Sequence, residues 1–128
     1  MSNTLRKAGK KDMPGILRLV RAHPEQLMQI HLPRPSEFFV AIEDGAIIGC
    51  CALEVYSKRL AEIRSLAVAP EARGRGLASE LIKLCLAEAQ KRKIYEVLTI
   101  TGATELFEKQ GFGTFHKEKY ALLKVLSS

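Results

Sequence analysis

Glu62-Ile63-Arg64-Ser65-Leu66-Ala67-Val68-Ala69-Pro70-Glu71-Ala72-Arg73-Gly74-Arg75-Gly76-Leu77-Ala78-Ser79 is the stretch that decides the reading of this chain. An apolar strand runs into a proline-marked loop, then a basic turn punctuated by glycine, then an amphipathic helix. The first amides of a helix have no intrahelical partner, and the helix dipole is positive at that end. Arg73 and Arg75 add charge at the same point. Such a turn binds anions, and phosphate or pyrophosphate fits best. Gly74 and Gly76 can adopt positive φ and carry no Cβ to hold a ligand off the main chain. Ser79 falls in the first helical turn, where its hydroxyl adds a donor. The bland alternative is a solvated helix start.

Two common phosphate motifs are excluded. A Walker loop closes on Gly-Lys-Ser/Thr, whereas Leu77 follows Gly76. The dinucleotide fingerprint has Ser79 where its third glycine belongs, and no early strand of a large doubly wound sheet precedes it. The turn resembles motif A of the GNAT superfamily of N-acetyltransferases, Gln/Arg-x-x-Gly-x-Gly/Ala, with Arg73, Gly76 and Ala78 at the defined positions. The resemblance implies that Arg73, Gly74, Arg75, Gly76, Leu77, Ala78 and Ser79 hold the pyrophosphate of coenzyme A, chiefly through main-chain amides. Thr104-Glu105-Leu106-Phe107-Glu108-Lys109-Gln110-Gly111-Phe112 is similar to the family's later Tyr-Glu-Lys-x-Gly-Phe motif, and the order of elements matches over roughly 4–126.

The 128 residues suffice for one domain over 1–128, and 47% apolar with 27% charged residues is ordinary globular composition. No apolar run approaches the ~20 residues of a membrane helix. The start, Met-Ser-Asn-Thr-Leu-Arg, lacks the apolar core of a signal peptide, so a cytoplasmic protein is expected. Cys50, Cys51 and Cys85 lack metal or redox spacing and read as buried thiols; His23, His31 and His116 are scattered, so no metal is assigned. The net charge of +6 attracts anions in general. No aromatic-rich strand or recognition motif accompanies it, which argues against nucleic acid as the partner. A homodimer is left open.

Periodicity predicts strands over 4–8, 38–43, 46–56, 60–68 and 96–101, a closing hairpin over 112–116 and 120–126, and helices from Met13, over 76–92 and over 103–110, with one further turn over 26–30. Asp44-Gly45 reads as a hairpin turn and Gly111 as a helix stop. The fold class is mixed α/β, a mostly antiparallel sheet of about seven strands flanked by helices, and by resemblance the GNAT fold. Ile63 and Leu66 are both apolar at an odd spacing. Either a β-bulge near Ser65 brings them to one face, or the strand is buried on both. A bulge here is what the family resemblance implies, and there it splays the strand from its neighbour for the pantetheine arm.

Acetyl transfer to an amine needs a neutral amine, donors for the developing oxyanion and a departing thiolate. An amine with pKa near about 10 is mostly protonated at neutral pH, so a base acting directly or through water is useful. Glu62 is the residue expected in that role, against the alternative of a solvated strand-end carboxylate. By resemblance, main-chain amides around Leu66, Ala67 and Val68 bind the pantetheine and polarise the thioester carbonyl. Many family members carry tyrosine where this chain has Phe107, which has no proton to give and is expected to pack beside the cofactor. Tyr95 and Tyr120 are candidate acids by residue type alone. Residues 60–68 resemble the glutamate-acetylating branch, in which Arg64 would hold a substrate carboxylate; the alternative for Arg64 is a surface ion pair.

The function expected is N-acetyl transfer from acetyl-CoA to a primary amine of a small molecule or peptide, by direct attack in a ternary complex. A cysteine relay is disfavoured, because nothing near Cys50 or Cys51 would activate a thiol. The competing readings are a non-catalytic acyl-CoA-binding or regulatory module and a basic nucleic-acid-binding domain.

Overall fold

Period-two alternation and tight turns build a sheet from the first half of the chain. In the computed structural model, which describes residues 3–24, 27, 29–114, 124 and 126, β1 (Thr4–Lys7), β2 (Phe38–Glu43), β3 (Ala46–Val55) and β4 (Leu60–Val68) pair in sequence order, each antiparallel to the next. Asp44 and Gly45 take φ of 51° and 77° between β2 and β3. Positive φ at both central residues gives the turn whose twist matches a two-residue hairpin.

Helices cover both faces. α1 (Met13–Arg21) buries Ile16, Leu19 and Val20 against Val40, Cys50, Ala52 and Ala67. α2 (Leu77–Lys91) buries Leu81, Ile82, Cys85 and Ala89 against Cys51, Leu53 and Ile63. Each fully buried Leu or Ile contributes about 1.5–3 kcal/mol. Cys50 and Cys51 therefore point to opposite faces, as alternation requires. The entry to α1 is tied by Asp12, whose carboxylate accepts from the Gly9 N–H at 2.8 Å and from the Arg6 guanidinium at 2.8 and 3.0 Å.

α2 is the crossover that lets β5 (Glu96–Thr99) join β4 in parallel, from Leu60↔Glu96 to Ile63↔Thr99. That pairing stops at Ile63, although β4 runs on to Val68. Within β4 the register steps from Ala52↔Arg64 to Cys50↔Ala67, so Ser65 and Leu66 together stand opposite Cys51. This is the bulge, and Ser65 carries it with φ of 57°. Left-handed backbone at a non-glycine residue costs on the order of 1–3 kcal/mol. Ile63 and Leu66 consequently pack in the same cluster under α2. The strand is also buried on both faces: Ala61 and Ile63 pack in the cluster under α2 and Ala67 in the one under α1, so the bulge and two-sided burial occur together.

α3 (Thr104–Glu108) ends where Gly111 takes φ of 94° and the Phe112 N–H reaches back to the Phe107 carbonyl at 3.1 Å. The sheet has five strands among the described residues, against the seven expected. Phe112 departs from the strand pattern because its amide closes α3 and its ring packs edge-on to Phe107, 5.3 Å between centroids. The rest of the expected closing hairpin lies largely outside the described residues; of the helical turn expected over 26–30, residues 27, 29 and 30 are described and are not helical. No helix among the described residues is long and apolar enough to cross a membrane.

Candidate functional site

The glycine turn adopts the conformation that glycine alone accepts readily. Gly74 and Gly76 have φ of 79° and 78°, and a Cβ at either would meet nothing within 4 Å. The requirement is backbone conformation, with open space in front of it. The Glu80 N–H closes onto the Gly76 carbonyl at 3.1 Å, so the amides of Leu77, Ala78 and Ser79 precede the helical ladder. A cleft of about 500 Å³ lies over them, lined by Leu66, Ala67 and Val68 of β4, by Arg73, Gly74, Gly76, Leu77, Ala78 and Ser79, and by His23 and Leu106.

The two arginines of the turn differ. Arg73 donates through Nε to the Val68 carbonyl at 3.4 Å and through Nη2 to His23 Nε2 at 2.9 Å, and it lines the cleft. Arg75 is drawn aside, with Nη1 on Glu43 at 2.7 Å and Nη2 on the Glu71 carbonyl at 3.2 Å. Its side chain acts as a strut between the turn and β2.

A second cleft of about 470 Å³ occupies the divergence of β4 from β5. Ile63, Arg64, Ser65 and Leu66 form one wall, Thr99 to Ala103 the other, with Phe107, Leu27 and His23 completing it. The last tie before the strands part is the Thr99 hydroxyl, which donates to the Ile63 carbonyl at 3.0 Å. Leu66 and His23 line both clefts. Phe107, 3% exposed, is packed against the wall of this cleft.

Beside this cleft the same face of β3 and β4 carries an interlocked polar group. Glu62 stands opposite Glu54 in register and accepts from the Tyr56 hydroxyl. Arg64 Nη1 contacts both Glu54 carboxylate oxygens, at 3.1 and 3.2 Å. Partial burial, then the two carboxylates, raise the Tyr56 hydroxyl above its ordinary range, so it stays a donor. Glu62 itself lines neither cleft; it lies two residues from Arg64 on the same face, about 7 Å along the strand. The ion pair read as the alternative for Arg64 is present, and Arg64 also faces the second cleft.

Tyr95 is 74% exposed and lines neither cleft, and Tyr120 is outside the described residues. The three thiols are free and buried. Burial pushes Cys50 up to about 12, while the Cys85 thiol beside it and then burial raise Cys51. His23 and Tyr56 as side chains of the site, and the segment 99–103 as a cleft wall, were not singled out from sequence. Their roles depend on contacts between distant segments, such as His23 with Arg73, which no local pattern announces.

A positive-φ glycine turn at a helix start, beside two diverging strands of which one is bulged, is the arrangement of an acyl-CoA acyltransferase type of fold. The chain belongs to the acetyltransferase (GNAT) family, whose model matches residues 10–112. It is 32% identical over 116 residues to an amino-acid acetyltransferase of Mycobacterium tuberculosis, covering 84% of this chain and 67% of that protein. It is 38% identical over 84 residues to an uncharacterized N-acetyltransferase of Chlorobaculum tepidum, 66% of this chain but 54% of the relative. A Mycobacterium tuberculosis protein crystallised with CoA superposes with a TM-score of 0.82 at 31% identity, covering 88% of this chain and 72% of that one. N-acetylglutamate synthase from Neisseria gonorrhoeae, in complex with coenzyme A and N-acetyl-glutamate, superposes at 0.79 with 28% identity, over 93% of this chain and 30% of that one.

Proposed function

We propose that this chain, as one domain over 1–128, is an acetyl-CoA-dependent N-acetyltransferase acting on the amine of a free amino acid or a similar small molecule. The observation that carries the reading is the junction of two clefts, one over the 73–79 turn and one in the β4–β5 divergence, sharing Leu66 and His23. The amides of Leu77, Ala78 and Ser79 and the positive-φ glycines suit a pyrophosphate, and the divergence suits an extended arm. Acetyl-CoA supplies the activated thioester. The main chain at Leu66 to Val68, unpaired toward β5 among the described residues, offers donors to the thioester carbonyl. Glu62 takes the proton of the incoming ammonium, directly or through water, and Tyr56 orients its carboxylate. Transfer is direct: all three cysteines are buried away from the clefts, and Cys50 and Cys51 are raised, so neither of these two offers a thiolate to carry the acetyl group. Three free interior thiols also support a cytoplasmic location.

An amino-acid acceptor is supported by the named activities of the relatives and by the charges beside the second cleft. Arg64 can meet a carboxylate while Glu62 meets the amine, a spacing that suits a zwitterion. The second reading, a non-catalytic acyl-CoA-binding module, is favoured by Phe107 in place of a proton donor and by Glu62 lying outside both clefts. A screen of free amino acids, polyamines and peptides with acetyl-CoA, read by thiol release, separates the two. Turnover on an amino acid supports the transferase. Tight acetyl-CoA binding with no thiol release on any acceptor supports the module.

A further inference from the structure

His23 is the polar one of the two side chains that line both clefts, and its position is fixed from behind. α1 ends at Arg21, and the His23 carbonyl then accepts from the Leu27 N–H at 3.0 Å and from Gln29 Nε2 at 3.3 Å. The same Gln29 amide reaches the Val20 and Leu27 carbonyls at 2.9 and 3.0 Å, knotting the chain just after the helix. The ring is set by its own contacts. Nδ1 lies 3.0 Å from the Leu19 carbonyl, which can only accept, so Nδ1 carries the proton and donates. In that tautomer, assigned from the partners, Nε2 presents a lone pair, and Arg73 Nη2 meets it at 2.9 Å.

We infer that His23 is a positioning residue for coenzyme A: its Nε2 holds the Arg73 guanidinium in the orientation that presents donors to the pyrophosphate. A guanidinium is a rigid planar fork with five donors. Contacts to His23 and to the Val68 carbonyl fix its plane and leave other donors of the fork for an anion. Without the ring, a long side chain on an exposed turn would have to be ordered by the ligand itself, which weakens binding. The inference rests on the cofactor reading above and adds to it a contact between segments fifty residues apart.

The test is calorimetric titration of coenzyme A into the wild-type chain, His23→Ala, His23→Phe, His23→Gln, Arg73→Ala and the double variant His23→Ala/Arg73→Ala. Loss of one hydrogen bond to a charged group predicts about fivefold to tenfold weaker binding for His23→Ala. His23→Phe keeps a ring without the acceptor and should lose the same amount, which covers the case in which the alanine variant does not fold. His23→Gln places an oxygen near the Nε2 position and should recover most of the affinity. In the Arg73→Ala background, removing His23 should change nothing further. Additive losses, or no rescue by glutamine, would overturn the inference while leaving the cofactor site standing. A wild-type chain that binds no coenzyme A would overturn the cofactor reading and the role of His23 with it.

Discussion

The two ends of β4 are made of different materials. At its C-terminal end the turn over 73–79 is a backbone device, with two positive-φ glycines and helix amides that precede the ladder. Nearer its start, Glu54, Tyr56, Glu62 and Arg64 are side chains already holding one another. A backbone device tolerates changes of side chain except where φ demands glycine. A side-chain device responds to single atoms. The first should govern whether the cofactor binds, and the second whether chemistry follows.

The sharpest way to break that division is at Glu62. Glutamine keeps its shape and removes its basicity, and general-base contributions run at ~10² to 10⁴ in rate. Glu62→Gln should lower acetylation at neutral pH by that order while coenzyme A affinity stays within about twofold, as measured by stopped assays and calorimetry. Part of the rate should return as pH approaches the amine's own pKa. A wild-type rate across that range would make Glu62 a structural charge only.

Gly76→Val tests the other half. The strained φ and the loss of amide contacts to a charged group predict coenzyme A binding weaker by on the order of 100-fold. The fold should survive, because a Cβ at Gly76 meets nothing within 4 Å. Unchanged affinity in calorimetry would remove the turn from the cofactor site.

Tyr56→Phe should have a smaller effect than either. It deletes the hydroxyl that orients Glu62 and should reduce the turnover rate by about tenfold or less, with no change in coenzyme A affinity. An equal loss in binding would show that the two ends of β4 are not separable.

The smallest changes are expected away from both ends. Cys50→Ala, Cys51→Ala and Cys85→Ala should each retain acetyl transfer while losing about 1 kcal/mol of stability. A trapped acetyl-cysteine with lost turnover would contradict direct transfer. At Asp12, the Arg6 guanidinium and then the Gly9 N–H hold the carboxyl down to about 2, from the usual 3.8. A depressed folded-state pKa stabilises the fold above the unfolded value, and that stability fades as pH falls from about 4 toward about 2. Asp12→Asn should therefore melt several degrees lower than wild type at neutral pH, the gap closing in that acid window.

The same contrast explains what the sequence disclosed. Gly74, Gly76 and the periodicity of 77–91 are local signals, so the turn, the helix and their junction could be read directly, whereas the odd step from Ile63 to Leu66 left a bulge and burial on both faces open. The strand bounds at 38–43 and 60–68 followed from alternation and the Asp44-Gly45 turn. Tyr56 and His23 were illegible because each matters only through a partner that folding brings close, Glu62 across a strand pair and Arg73 across the molecule. Arg75 was expected at the pyrophosphate along with Arg73, and its diversion depends on the approach of Glu43 from β2, which no local pattern shows.

The central claim is that main-chain amides of the turn hold the cofactor's pyrophosphate. Amide proton–nitrogen spectra recorded during titration with coenzyme A test it most directly. The account predicts that the largest shifts fall on Gly74, Gly76, Leu77, Ala78 and Ser79, with a second set at Leu66 to Val68 and at Thr99 to Ala103. Shifts confined to the surface of α1, with the 74–79 amides unmoved at saturation, would contradict it.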